Sequence, residues 1–238
     1  MTARKAVTSA SVVTYLRSCI NKGDLNPDDK LPSEREISER LQTTRVTTRE
    51  ALKQLEAQGV IYRSNRRGWF VTPDRIKYDP SRAMFFMDYV AEQGQQPFSR
   101  ELQKTKIKAD AEIALMMGVP IGEPLVELQR LRGSGVRPVY VERILLREKL
   151  LPGIDKKDLE NSVSRVIRND YQTEYGRIDL DMVVGSLSVT DAELLQAPAG
   201  YTSITIQRLS YDAKGEVLEL DLEQWRHDAL QLKVSLSS

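Results

Sequence analysis

The sequence predicts an α+β protein of two domains. Three helices closed by a hairpin fill residues 1–74, a linker follows over 75–80, and an antiparallel-sheet domain with intervening helices occupies 81–238. Three observations predict this. Apolar residues recur at helical spacing up to Gly59, but beyond Pro80 they mostly alternate at strand spacing. The stretch from Pro73 to Pro80 reads as the connection between the two patterns. The charge divides at the same place: residues 1–75 carry 14 Lys/Arg and 9 Asp/Glu, net +5, and the other 163 carry 21 and 25, net −4. A basic module on a mildly acidic body points to a polyanionic partner for the first part only.

Val12, Leu16, Cys19 and Ile20 share one face of the first helix, which Gly23 closes. Ser33 begins the second, because Ser33 and Glu36 have capping-box spacing. Ile37 and Leu41 face inward from it. A turn at Gln42-Thr43 leads to a third helix starting near Thr44, with Ala51, Leu52 and Leu55 as its buried stripe and Gly59 at its end. Val60 to Arg63 and Trp69 to Thr72 make two short strands around the basic tip Ser64-Asn65-Arg66-Arg67-Gly68.

In the second domain, Val126, Leu128, Arg130 and Arg132 lie on one face of a strand. Gly133-Ser134-Gly135 turns the chain and Val139 to Leu145 returns. Ile204, Ile206 and Arg208 run into the turn Asp212-Ala213-Lys214-Gly215, and Val217 to Trp225 follow as a second hairpin. The chain echoes itself here. Asp110-Ala111-Glu112-Ile113 precedes Gln129-Arg130-Leu131, as Asp191-Ala192-Glu193-Leu194 precedes Gln207-Arg208-Leu209. Each copy reads as a helix feeding a hairpin, which predicts internal pseudo-symmetry of this domain.

Composition narrows the function. No apolar run approaches the roughly 18 residues of a membrane span, and Thr8, Ser9 and Ser11 interrupt any signal-peptide-like stretch, so a cytoplasmic protein is expected. One cysteine, Cys19, and one histidine, His227, leave no internal disulfide and no zinc site of ordinary type; Cys19 is expected to be buried packing. No catalytic motif, metal or cofactor is expected.

Helices two and three with the hairpin form a winged helix-turn-helix. In such units the start of the second helix of the motif enters the major groove. Here it supplies Thr44, Arg45, Thr47 and Arg49. Arginine matches guanine's paired acceptors and threonine can bond phosphate or base. Arg35 is placed to reach the backbone or groove edge, and Arg66, Arg67 and Gly68 form the wing that meets the minor groove or phosphate. The alternative is a solvated basic face.

The strings Leu31-Pro32-Ser33-Glu34-Arg35-Glu36, Thr44-Arg45, Arg49-Glu50-Ala51-Leu52 and Leu55-Glu56-Ala57-Gln58-Gly59 resemble the signature of the GntR family of transcription regulators, and Arg67-Gly68-Trp69-Phe70-Val71 is similar to its wing. Two departures stand out: Arg66 replaces the wing's usual first glycine, and Thr43 stands where a small or aliphatic residue is usual. Leu128-x-Arg130-Leu131-Arg132, Arg137-Pro138-Val139, Glu142, Asp158-Leu159 with Ser162, and Trp225-Arg226-His227-Asp228 resemble the HutC branch. Its effector domain, UTRA, has a chorismate-lyase-like fold. The resemblance implies a homodimer on a palindromic double-stranded operator, most commonly a repressor released by ligand. It implies effector contacts at Arg130, Arg132, Glu142 and Ser162, and by position at Ser164, Glu219 and Trp225, with His227 supporting the wall or exposed. Residues 65–73 and 220–228 further resemble the phosphonate-utilisation (PhnR-like) subgroup, which would imply 2-aminoethylphosphonate or a breakdown product.

The residues alone also suggest a pocket. Arg130 and Arg132 point where an apolar face should be buried, and buried charge needs a partner. That partner is either a small anion (phosphonate, sugar phosphate or carboxylate) or an internal carboxylate such as Glu142, Glu219 or Asp221. Two rivals follow: a DNA-binding protein whose second domain only dimerises, and a lyase-like enzyme using Glu142.

Overall fold

The computed structural model describes residues 7–64, 67–80, 82 and 85–234, and the chain divides between Arg75 and Ile76. The first unit holds α1 (Ser9–Asn21), α2 (Glu34–Arg40), α3 (Arg45–Ala57), β1 (Ile61–Ser64) and β2 (Gly68–Val71). Local chemistry sets the helix starts. Ser33 and Glu36 close a reciprocal capping box on α2, and the Thr44 side chain accepts from Thr47 N at the start of α3. Between them Gln42 takes a left-handed conformation, φ 51°, which makes the short turn. Val12, Leu16, Ile37, Ala51, Leu52, Leu55, Ile61 and Val71 form the core that all five elements share. Cys19 is half-buried rather than enclosed.

The second unit begins with β3 (Ile76–Tyr78) and α4 (Phe86–Glu92), continues through β4 (Pro97–Lys108), α5 (Ala111–Met117), β5 (Pro124–Ser134) and β6 (Arg137–Arg147), and then a 3-10 turn, Ile154–Lys156. Next come α6 (Val163–Tyr171), β7 (Tyr175–Ser186), α7 (Val189–Leu194), β8 (Thr202–Asp212), β9 (Val217–Arg226) and β10 (Leu230–Leu232). Six strands form one antiparallel sheet in the order β4-β5-β6-β9-β8-β7. The sequence echo is visible in that order. Strand, helix, hairpin (β4, α5, β5-β6) is followed by strand, helix, hairpin (β7, α7, β8-β9), and the halves meet where β6 pairs with β9.

Alternation along the strands gives the sheet two different faces. On one, Leu125, Leu145 and Leu220 pack with α5, and Leu131 and Val141 with α7. The other carries Arg130 and Arg132 of β5, Glu142 of β6, Glu219, Asp221 and Glu223 of β9, and Arg208 and Ser210 of β8, by their register across the sheet. Around these polar residues, Leu128, Ile144 and Leu146 pack with Leu159, Val163 and Ile167, while Tyr140, Ile206 and Trp225 pack with Phe86 and Tyr89 of α4.

Residues 75–80, expected to be a linker, differ. Ile76–Tyr78 pair in parallel with Leu230–Leu232, and Ile76 and Tyr78 are buried in the second unit's core. The Gln93 side chain pins the strand further, donating to Lys77 O at 3.0 Å and accepting from Lys77 N at 2.8 Å. The chain therefore enters this unit as structured strand immediately after Arg75.

Candidate functional site

At the N-terminus of α3, Arg45 is exposed and Val46 beside it is 67% exposed. Thr44 and Thr47 are tied together: Thr47 N donates to Thr44 Oγ1 at 3.1 Å, and the two hydroxyls lie 2.9 Å apart. Arg49 is exposed but held by Glu34 of α2, with Nη2 and Nε donating to Glu34 Oε2 at 2.8 and 3.1 Å. That guanidinium holds the Glu34 carboxyl below its ordinary range despite the opposing effect of burial. Glu34 is a residue sequence reasoning missed; it clamps the two helices of the motif together. Arg35 is exposed and 3.9 Å from Glu39. In the wing, the Arg67 guanidinium lies 5.3 Å from the Phe70 ring centre. Gly68 has φ +113°, a conformation that a side chain resists, so its contribution is backbone geometry. Arg66 lies outside the described residues.

In the second unit, the polar face of the sheet floors a cavity of about 310 Å³. Arg130, Arg132, Glu142, Ser162, Ser164 and Glu219, all expected in the ligand site, line it. Arg130 Nε lies 2.7 Å from Glu142 Oε1, and Arg132 Nε donates to the same oxygen. Arg130 Nη1 also donates to the carbonyls of Leu159 and Glu160, and Arg132 Nη1 to that of Asn161. Neither Nη2 has a hydrogen-bond partner among the described residues. Burial alone would raise the Glu142 carboxyl, but the charges of Arg130 and Arg132 more than offset it and hold it below the ordinary range. Two guanidiniums therefore share one ionised carboxylate. The internal pairing weighed from the sequence does occur, and it neutralises only one of the two charges.

Ser162 caps α6, accepting from Arg165 N at 3.1 Å, so the helix start borders the cavity. Glu219 Oε1 accepts from the Tyr175 hydroxyl at 3.1 Å, and Ser164 lines the cavity with them. Trp225 is a correction. It is 1% exposed and lies outside the cavity lining, because Tyr140 stacks on it at 4.0 Å and Phe86 covers it. Its indole N–H donates to Glu223, so it orients a lining residue instead. His227 is on neither wall of the cavity; its Nδ1 is 3.0 Å from Thr202 O and its ring lies against Tyr201.

The sequence analysis named Arg208 as a strand residue but not as part of the site, although the echo of Gln129-Arg130-Leu131 in Gln207-Arg208-Leu209 pointed to it. Arg208 bonds Asp221 Oδ2 at 3.4 Å, Glu223 Oε1 at 2.8 Å and the Tyr78 hydroxyl at 2.9 Å. Asp221 and Tyr78 also line the cavity. Burial pushes the Asp221 carboxyl well above its ordinary range, reinforced by the nearby charges of Glu142 and Glu223. Burial raises Glu219 as well.

A winged helix with an exposed arginine at its recognition-helix start, joined to a domain enclosing a charged cavity, defines a DNA-binding regulator with a ligand-sized pocket. The description "Bacterial regulatory proteins, gntR family" matches residues 8–71, and "UTRA domain" matches residues 92–231. The chain is 31% identical over 221 residues to the HTH-type transcriptional regulator YihL of Escherichia coli (strain K12), covering 91% of this chain and 92% of that one. It is 24% identical over 217 residues to the HTH-type transcriptional repressor NagR of Bacillus subtilis (strain 168), covering 91% and 89%. The crystal structure of PhnF from Mycobacterium smegmatis has the same fold, with a TM-score of 0.67 at 24% identity over 95% of this chain and 99% of that one. The protein belongs to the GntR family of bacterial regulators, in its UTRA-domain branch. These are transcription regulators and not enzymes. Among the described residues no helix is long and apolar enough to cross a membrane.

Proposed function

We propose that the protein is a ligand-responsive repressor that acts as a homodimer. Two copies read a palindromic double-stranded operator, and a small anionic effector in the sheet cavity releases them. A two-fold dimer requires half-sites related by the same symmetry. On the DNA side, Arg45 is the base reader with Val46 beside it as an apolar contact for a thymine methyl. Thr44 and Thr47 shape the helix start, and Arg35, Arg66, Arg67 and the Gly68 backbone meet phosphate or the groove edge.

The observation that carries the effector reading is the sharing of one carboxylate, Glu142, by Arg130 and Arg132. Paired guanidinium forks with a charge in excess suit phosphate, phosphonate or carboxylate. The similarity of residues 65–73 and 220–228 to the phosphonate-utilisation subgroup favours a phosphonate among these. Repression agrees with the description of the relative NagR as a repressor.

The route to the DNA-binding unit starts at Tyr78. It belongs to the strand that follows Arg75, lines the cavity and holds Arg208. A ligand that prefers one arrangement of these residues biases that strand, and with it the heads.

A mobility shift of the DNA upstream of the gene, with and without phosphorylated, phosphonate and carboxylate metabolites, tests this. Binding that one such anion relieves is the expected result, with relief lost in Arg132→Ala. No shift under any condition would remove the regulator reading, and a shift that no anion alters would leave a domain that only dimerises.

A further inference from the structure

The cavity has a second, acidic end. Glu219 is 5% exposed, Asp221 4% and Ser210 1%, and all three line the cavity. Yet Glu219 Oε2, Asp221 Oδ1 and Ser210 Oγ have no hydrogen-bond partner among the described residues. Buried acceptors left unpaired are costly, and a folded chain retains them where something else supplies the donor.

Charge says what kind of donor. Seven acidic and basic residues of the sheet line the cavity floor: Arg130, Arg132 and Arg208 against Glu142, Glu219, Asp221 and Glu223. With all four acids ionised the floor would be one negative charge in excess, in keeping with the raised Asp221 and Glu219 carboxyls, and at the rim Arg168 pairs with Glu174 and Arg82 with Glu92. An anion seated on Arg130 and Arg132 makes the deficit of positive charge larger. Hydroxyl groups of a neutral ligand portion can fill the acceptors but leave that deficit.

We infer that Asp221 and Glu219, with Ser210, form a subsite for a protonated amine, so that the effector is a small amino-anion held at both ends. This rests on the reading that Arg130 and Arg132 seat an anion, and it holds whichever anion that is. The two ends lie on β5 and β9, separated by β6, or about 10 Å at the backbone by ordinary strand spacing. The Arg130 and Arg132 guanidiniums meet Glu142 on the intervening strand, which brings the cationic end nearer the acids than the backbones are. An ammonium with its three donors matches the unpaired oxygens of Glu219, Asp221 and Ser210 in number. Arg208 remains between Asp221 and Glu223, fixing the carboxylates rather than competing for the free oxygens.

Matched ligand pairs on the full-length protein test the subsite. Calorimetric titration compares 2-aminoethylphosphonate with 2-hydroxyethylphosphonate, and glucosamine 6-phosphate with glucose 6-phosphate. The pairs change the anion, and within each pair only the amine becomes a hydroxyl. In at least one pair the amine should bind about ten- to hundredfold more tightly, the size of a charge-assisted hydrogen bond. Asp221→Asn should bring the two members of that pair together while anion binding persists, and Glu219→Gln provides the same comparison if the first variant is unstable. Equal binding of amine and hydroxyl members by the wild type would overturn the amine subsite and leave the anion reading standing. A preference that survives in both variants would overturn the assignment to these residues. Failure of every member to bind would sink the anion reading, and the subsite with it.

Discussion

Arg130 and Arg208 occupy corresponding places in the two halves of the six-stranded sheet, each directly across from a carboxylate on the next strand: Glu142 for Arg130 and Asp221 for Arg208. The repeat is local in sequence as well, since both arginines sit in a Gln-Arg-Leu triplet after a helix. Its electrostatic outcome differs between the halves. Glu142 is shared by Arg130 and Arg132, which hold its carboxyl low against the effect of burial. Arg208 is instead shared by Asp221 and Glu223, and burial with the neighbouring acids pushes Asp221 high. One duplicated pair thus yields an arginine-rich end and an acid-rich end of a single cavity.

The acid-rich end makes stability depend on pH. A carboxyl raised by folding holds a proton that the unfolded chain releases near its ordinary value of 3.8. Stability from Asp221 is therefore fully present below that value and is lost as pH rises through the raised one. Glu142, Glu219, Glu223 and Arg208 are the charges that act on it. Asp221→Asn should remove this slope and raise stability at pH 8 by about 1–3 kcal/mol, since a buried charge that the shared Arg208 only partly offsets is removed. Thermal melts of both proteins between pH 5 and 8 read it; parallel curves would mean that Asp221 is not the titrating group.

Asp228 behaves in the opposite sense. Burial opposes its charge, but Arg137 and Arg226 overcome that and hold the carboxyl well below its ordinary range. Its Oδ2 accepts from Arg137 Nη2 at 2.6 Å and its Oδ1 from Arg226 Nε at 3.1 Å, with all three residues nearly fully buried. Its contribution is present above pH 4 and lost as pH falls toward the depressed value. Asp228→Asn should cost about 3–5 kcal/mol at pH 7, the usual cost of breaking a buried pair. Urea unfolding at pH 7 measures this, and a loss under 1 kcal/mol would place the network among pairs of surface strength.

Legibility in the sequence followed the range of the interactions involved. The capping box of Ser33 and Glu36, the Thr44 cap and the stripe Ala51, Leu52, Leu55 are set within a few residues, and the helix-turn-helix was readable from them. Arg130 and Arg132 were readable because charge interrupts an apolar strand face, whereas Glu142 entered through the UTRA resemblance and as one of three possible internal partners. β3 was not, because its partner Leu230–Leu232 lies about 150 residues away in sequence. Trp225 shares a strand face with Glu223, and alternation alone could not reveal that Tyr140 and Phe86 cover it. The clamp between Glu34 and Arg49 spans 15 residues across a turn, so the spacing of Arg45 and Arg49 made two arginines look equivalent that are not.

Tyr78 connects the cavity to the strand that follows the DNA-binding unit. Its hydroxyl accepts from Arg208 at 2.9 Å, and burial raises its own ionisation, so it stays neutral at physiological pH. Tyr78→Phe keeps the packed ring and removes that bond. Effector affinity should change little, since Arg208 retains Asp221 and Glu223. The effector concentration that releases operator DNA should rise severalfold, because part of the differential interaction between the two states is gone. Titration by calorimetry and by mobility shift separates the two quantities. If they move together, Tyr78 belongs to the ligand site and not to the coupling.

Arg45 and Arg49 should behave differently on DNA. Arg45 opens α3, is exposed and forms no ion pair among the described residues, so nothing must be broken before it meets a base. Arg49 must first leave Glu34, or carry that acid toward the phosphates. Arg45→Ala should cost about 1–3 kcal/mol of operator affinity and relax the preference at one base pair, as expected for a bidentate base contact. Its effect on folding should be within about 0.5 kcal/mol, as for an exposed residue. Arg49→Ala should lose less affinity and some stability, because the clamp between α2 and α3 goes with it, and Glu34→Gln should weaken that clamp while leaving Arg49 free for phosphate. Fluorescence anisotropy on the operator and its single-base variants distinguishes them. Equal affinity losses and equal changes of base preference for Arg45 and Arg49 would make both base readers and the Glu34 pair a feature of the DNA-free protein alone.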